Sequence, residues 1–112
     1  MKVQLVVALF LVLLVGCARE AKIEVASALV KTPTMVCGSC VKTIEKAVGQ
    51  VAGVKEVAAD LKTKTVKVSY EVAKVSLDQI QSAITGAGYD ADGRKRDQAA
   101  YEKLDACCKI DG

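Results

Sequence analysis

Two segments of this chain repeat one apolar spacing, and that repeat restricts the fold more than any other feature. Val41, Ile44, Val48 and Val51 stand at i, i+3, i+7 and i+10, and so do Leu77, Ile80, Ile84 and Ala87. Each set marks one face of an α-helix. Lys42, Glu45, Lys46 and Gln50 take the opposite face of the first. Gly49 and Gly53 bracket its end, and Gly86 and Gly88 close the second. Ser76 with Gln79 three residues on matches a capping box, and Asp78 puts negative charge in the first turn.

Between the helices the period changes to two. Val57, Ala59 and Leu61 alternate with Glu56, Ala58 and Asp60; Val66, Val68 and Tyr70 alternate with Thr65, Lys67 and Ser69. Lys62-Thr63-Lys64 reads as the hairpin turn, although it lacks the Asn-Gly signal of the tightest turns. One apolar and one polar face imply a sheet with one solvated side. Residues 27–34 are extended in character, with Pro33 suited to a strand terminus, and residues 89–93 supply a short last strand. The expected fold is α+β. It is a ferredoxin-like βαββαβ sandwich, two helices on one face of a four-stranded antiparallel sheet, with an extra C-terminal helix. A core of about 65 residues buries only about 60% of its unfolded surface, so stability is modest. Aliphatic residues fill both stripes and leave no room for an internal ligand cavity, so any chemistry sits on a loop.

Composition removes several functions. The 112 residues include no His and no Trp, which excludes a Ser-His-Asp triad, a Cys-His pair and histidine-ligated zinc. A formal net charge of +3 does not suggest a nucleic-acid binder. With 26% charged residues the chain is not a bundle of membrane spans. No residue set offers an acid–base pair or nucleophile for substrate chemistry, so no enzyme is expected.

The apolar residues are concentrated at the start. Val3 to Gly16 form a nearly unbroken run behind Lys2. As a helix it would reach about 21 Å, short of the roughly 30 Å hydrocarbon core, and so it reads as a secretory signal. Leu14-Val15-Gly16-Cys17 resembles the lipobox of bacterial lipoproteins, which implies cleavage before Cys17 and acylation of its sulfur. A short uncleaved anchor is the alternative. The organisation is then a lipoprotein signal at 1–16, a tether at 17–26, a domain at 27–93 and a cysteine-bearing tail at 94–112. The location implied is the bacterial envelope, with the lipid bilayer as a partner through Cys17 and the protein facing the periplasm or exterior as a monomer.

Four cysteines remain, paired as Cys37/Cys40 and Cys107/Cys108. Cys37 and Cys40 fall where an extended segment gives way to the first helix. The N–H groups and dipole of a helix N-terminus favour anions and lower a thiol pKa. Small Gly38 and Ser39 let the loop aim both sulfurs at one point. Two thiolates without oxygen or imidazole ligands select soft ions such as Hg(II) and Cu(I), while structural zinc normally needs four protein ligands. Three other readings stay open. A disulfide across two residues removes little chain entropy. A redox pair fits the spacing, but there is no Trp beside the motif and no proline after it. The third is a pair of inert buried cysteines.

Met35-Val36-Cys37-Gly38-Ser39-Cys40, the first helix, Val51-Ala52-Gly53-Val54 and Ala87-Gly88-Tyr89 together resemble the heavy-metal-associated domain. This family comprises copper chaperones, metal-ATPase N-terminal modules and periplasmic mercury-binding proteins. The resemblance implies that Cys37 and Cys40 are metal ligands, that Met35 is a core residue beside the loop, and that Tyr89 lies near the metal loop or merely packs there. As an exported stand-alone domain it is most similar to the mercury-binding branch, which implies an envelope carrier delivering Hg(II), or alternatively Cu(I), to a membrane transporter or metal ATPase. Thr34 stands where the family usually has glycine, and the tail lies beyond the family's extent.

The tail reads as helical from about Asp97, with Tyr101, Leu104 and Cys108 on one stripe. Adjacent side chains on a regular helix point about 100° apart, so Cys107 and Cys108 cannot both face one ion without fraying. Either Cys108 joins the stripe as a small apolar residue, or the tail folds back and supplies one or two thiolates. Arg94-Lys95-Arg96 reads as a solvated linker, with weak contact to anionic head groups as a minor alternative.

Overall fold

The structure is a computed structural model that describes residues 23–109. The signal at 1–16, Cys17 with its acylation, and residues 17–22 of the tether lie outside the described residues. Among the described residues no helix is long and apolar enough to cross a membrane.

The sheet forms where the sequence alternates. Strand β1 is Val25–Lys31, β2 is Val54–Asp60 and β3 is Thr65–Glu71. The order is β1-β3-β2, and both pairings are antiparallel. Val30 meets Val66 and Ala28 meets Val68 across β1 and β3. Val57 meets Val68 across β2 and β3, with a register shift between Val54 and Glu56. Strand β1 starts two residues inside the expected tether and stops before Pro33, which has no N–H to donate to a ladder. In the β2–β3 turn the Asp60 carboxylate accepts from Lys62 N–H at 2.9 Å, and Lys64 takes a positive φ of 54°.

Helix α1 spans Gly38–Gly49 and α2 spans Leu77–Gly86. The Ser76–Gln79 capping box is present. Ile44 and Val48 of α1, and Ile80 and Ile84 of α2, are buried in one core with Val30, Met35, Val66, Val68 and Tyr89. The polar face of the sheet stays in solvent, Leu29 included at 63% exposure. Glu71, at the end of β3, is buried but forms ion pairs with Lys55 at 2.8 Å and Lys74 at 3.0 Å, which hold its carboxyl below the usual range. Gly53 has φ +97°, and a Cβ there would fall 2.8 Å from Lys74 Cβ, so the α1–β2 connection needs glycine.

Two expectations are corrected. The described residues hold a three-stranded sheet, and residues 89–93 do not form its fourth strand. Asp92 exchanges two hydrogen bonds with Lys31, from its own N–H at 2.9 Å and to its carboxylate at 2.8 Å. Positive φ at Asp92 (48°) and Gly93 (84°) then turns the chain back on itself in an isolated Ala91–Arg94 bridge. The chain reaches the edge of β1 and cannot run along it. The tail is likewise not one helix. Helix α3 covers only Gln98–Glu102, and a separate 3-10 turn covers Ala106–Cys108.

Truncating Ile84 tests how much the shared core carries. Ile84→Ala removes a fully buried side chain and should cost about 2–5 kcal/mol, a large share of the stability of so small a domain. Urea unfolding should show a lower midpoint with little change in slope.

Candidate metal centre

Helix α1 begins at the cysteine loop. Cys37 is its N-cap, in extended conformation, and no acidic residue occupies the first turn. Its carbonyl accepts from the N–H groups of Cys40 at 3.0 Å and Val41 at 3.4 Å. Cys40 lies one turn into the helix on the inward face and is fully buried, whereas Cys37 is half-buried. The two sulfurs stand 3.3 Å apart.

The tail returns to this loop. Cys107 Sγ lies 2.8 Å and Cys108 Sγ 3.4 Å from Cys37 Sγ, with 4.0 Å between the two tail sulfurs. Cys107 is exposed and Cys108 is 1% exposed. The sulfurs of Cys37, Cys40 and Cys108 all lie within 4.8 Å of one another, a grouping able to hold one metal ion. The loop and the tail, separated by about seventy residues, thus form one cluster. Of the two readings of the tail, the structure shows the return. It also shows Cys108 buried with the Tyr101 stripe, because that stripe is what lies against the domain.

The cluster is polarised around Cys37. The Cys107 thiol holds Cys37 down at about 6, aided by the Cys40 backbone N–H and the thiols of Cys40 and Cys108, while partial desolvation opposes this. Cys107 is raised, first by its contact with Cys37 and then by burial. Cys108 is also raised, first by burial and then by Cys40. At neutral pH Cys37 is the thiolate, and Cys107 and Cys108 keep their protons and donate toward it.

Met35 and Tyr89 are both fully buried beside the loop. Met35 is a core residue, as the resemblance implies. Tyr89 also packs in the core. Its hydroxyl has no hydrogen-bond partner among the described residues. Burial above all, then the Cys108 and Cys40 sulfurs, raises its phenol. It is therefore core and floor of the cluster together. Thr34 replaces the usual glycine with a function: its hydroxyl accepts from Asp90 N–H at 3.0 Å and ties the loop to the segment leaving α2.

Sequence reasoning missed the residues that dock the tail. Ser39 Oγ donates to Asp105 Oδ2 at 3.2 Å, linking the loop between the cysteines to the tail. The expected solvated linker is engaged: Arg94 pairs with Asp78, and the Arg96 guanidinium lies 3.6 Å over the Tyr101 ring. Arg96 and Tyr101 are five residues apart, not the three or four that make helical neighbours, and nothing local marks Asp105 as a partner of Ser39.

In the reduced, metal-free protein, alkylation should modify Cys37 first. Its rate should fall as pH drops through about 6, where the thiolate gains a proton. Cys107→Ala removes the principal donor and should move that midpoint upward, read from the pH dependence of iodoacetamide labelling followed by peptide mass spectrometry.

Residues 29–90, more than half of the chain, match the heavy-metal-associated domain. The copper chaperone CopZ of Enterococcus hirae is 41% identical over 58 residues, covering 52% of this chain and 84% of that protein. The periplasmic component of the mercuric transport protein of Serratia marcescens is 33% identical over 63 residues, covering 56% and 69%. A probable copper-exporting P-type ATPase of Archaeoglobus fulgidus is 37% identical over 60 residues, which is 54% of this chain and 8% of that enzyme. Oxidized MerP from Ralstonia metallidurans superimposes with a TM-score of 0.59 at 29% identity, covering 61% of this chain and 94% of that one. The βαββα core, the loop that begins α1 and the matched span agree, and the chain belongs to the heavy-metal-associated domain family.

Proposed function

We propose that this protein is a carrier and not an enzyme: it captures a soft, thiophilic ion, Hg(II), between Cys37 and Cys40 and hands it to a membrane transporter or metal ATPase. The observation that carries this reading is the sulfur pair at the start of α1, 3.3 Å apart, one sulfur half-exposed and the other buried. The half-exposed, anionic Cys37 can meet an arriving ion, and the buried Cys40 anchors it to the core. A thiolate on a partner can attack the ion from the Cys37 side, so that metal–sulfur bonds are exchanged one at a time. The donor set contains only sulfur, which suits Hg(II) and Cu(I) and not Mg(II) or Ca(II).

Cu(I) is the second reading, favoured by the similarity to copper chaperones. Kinship with a P-type ATPase supports a metal ATPase as the recipient. Acylated Cys17 would keep the carrier, as a monomer, at the envelope membrane, facing the periplasm or exterior. A third reading, thiol–disulfide exchange, draws on the lowered Cys37 pKa, since a thiolate is also the nucleophile in that chemistry.

Native mass spectrometry of the reduced protein, in competition among Hg(II), Cu(I) and Zn(II), should show one Hg(II) bound. A dominant Cu(I) species selects the second reading. Under a competing dithiol, Cys37→Ser/Cys40→Ser should retain the ion at least about a hundredfold less well, about 2.7 kcal/mol. The metal-free protein should not reduce a test disulfide; turnover there would replace the carrier reading with the redox one.

A further inference from the structure

The match to the family ends at residue 90, yet the chain beyond it is fitted to the cysteine loop. Asp97 N–H donates to the Thr85 carbonyl at 2.9 Å, and Arg96 N–H donates to the Asp90 carboxylate at 3.0 Å. Both bonds tie the tail to the segment closing α2. Tyr101 is buried, and Leu104 packs against the core. Their approach depends on Gly88, which has φ +103°. A Cβ there would come within 3.0 Å of Tyr101 N and 3.1 Å of Leu104 Cδ1. Beyond Leu104, Asp105 is held by Ser39. The next turn sets Cys108 among the sulfurs, and Cys107 closes on Cys37 from the exposed side.

Resting on the carrier reading above, we propose that the ion is held by a shared centre in which the tail contributes Cys108 as a third ligand, with Cys107 as the exchangeable sulfur at its mouth. Spacing supports this over a two-sulfur site. With a metal–sulfur distance of about 2.3 Å, a linear pair stands about 4.6 Å apart, and three or four sulfurs around one ion stand about 3.8–4.0 Å apart. Cys37 stands 3.3 Å from Cys40, 3.4 Å from Cys108 and 2.8 Å from Cys107. A linear Cys37–Cys40 pair would have to spread furthest, and Cys37 would have to move while two tail sulfurs press against it. A trigonal arrangement, with sulfurs about 4.0 Å apart, asks Cys37 for a smaller spread from Cys40 and from Cys108 than the linear pair does. Each thiol that joins the centre gives its proton to water, and no electrons are transferred.

This arrangement also gives release an order. Cys107 is the exposed sulfur and half-exposed Cys37 lies beside it, so an incoming thiolate meets these two first; the buried Cys40 and Cys108 surrender the ion last.

The test is X-ray absorption spectroscopy of the full reduced chain with one equivalent of Hg(II), together with retention of Hg(II) against a competing dithiol. The expected result is three or four sulfurs around Hg(II) in the unmodified protein and two in Cys107→Ser/Cys108→Ser, with retention at least tenfold lower in the variant. Cys108→Ala keeps that buried position apolar, and it should lose retention to a similar degree. Two sulfurs in the unmodified protein, or a sulfur number and retention unchanged in both variants, would overturn the shared centre and leave the Cys37/Cys40 carrier standing. Absence of any sulfur-bound Hg(II) in the unmodified protein would overturn both.

Discussion

The position of Cys40 on the inward face of α1 is the constraint on which the rest of the site depends. Cys40, Ile44 and Val48 follow one another at four-residue steps and are all fully buried, so the helical period that builds the core also fixes one sulfur of the cluster. The other sulfur of the motif, Cys37, falls at the N-cap, where the backbone is extended and the side chain can stay partly in solvent. A two-residue spacer across a helix start therefore divides the labour: one sulfur is rigid because the core is rigid, and one is reachable because the cap is at the surface.

Charge follows from the same placement. At Cys37 the N–H of Cys40 and the neighbouring thiols favour the anion, with Cys107 foremost, whereas burial is the principal cause that keeps the Cys108 thiol protonated. A cluster of four thiolates would be held apart by its own repulsion. A thiolate at Cys37 bordered by the proton-bearing thiols of Cys107 and Cys108 avoids that repulsion, and an arriving cation supplies the charge that lets further sulfurs ionise.

Legibility in the sequence followed the range of the interactions. The helix stripes, the capping box and the β2–β3 hairpin are local patterns, and each appears in the structure, although Leu77 at the start of the second stripe and Leu61 just past the end of β2 stand exposed. Cys37 and Cys40 were legible because both lie within one loop and one helical turn. The fourth strand was not, since its failure depends on positive φ at Asp92 and Gly93; the Asp-Gly pair that allows the turn was in the sequence, but nothing local says that it will stop a strand against the edge of β1. The tail shows the same division. The Tyr101, Leu104 and Cys108 stripe gave the correct inward residues, although the continuous helix it implied breaks after Glu102. Its destination at the cysteine loop depends on Ser39–Asp105 and on the space above Gly88, which are contacts between residues far apart in the chain.

The divergence of adjacent helical side chains, about 100° on an α-helix and about 120° on the 3-10 turn that carries Cys107 and Cys108, bears on how two neighbouring cysteines can serve one site. It rules out both facing the same way, and the structure does not violate it. Cys108 points inward, buried beside the Tyr89 floor, and Cys107 points out to solvent. Cys37, at the rim where the helix starts, touches both. A rim sulfur can thus be shared by an inner and an outer neighbour without the tail fraying. The apolar burial of Tyr101 and of the Cys108 thiol holds the tail in place before any ion arrives, so the conformational cost of assembling the cluster is met during folding and does not weaken capture of the ion.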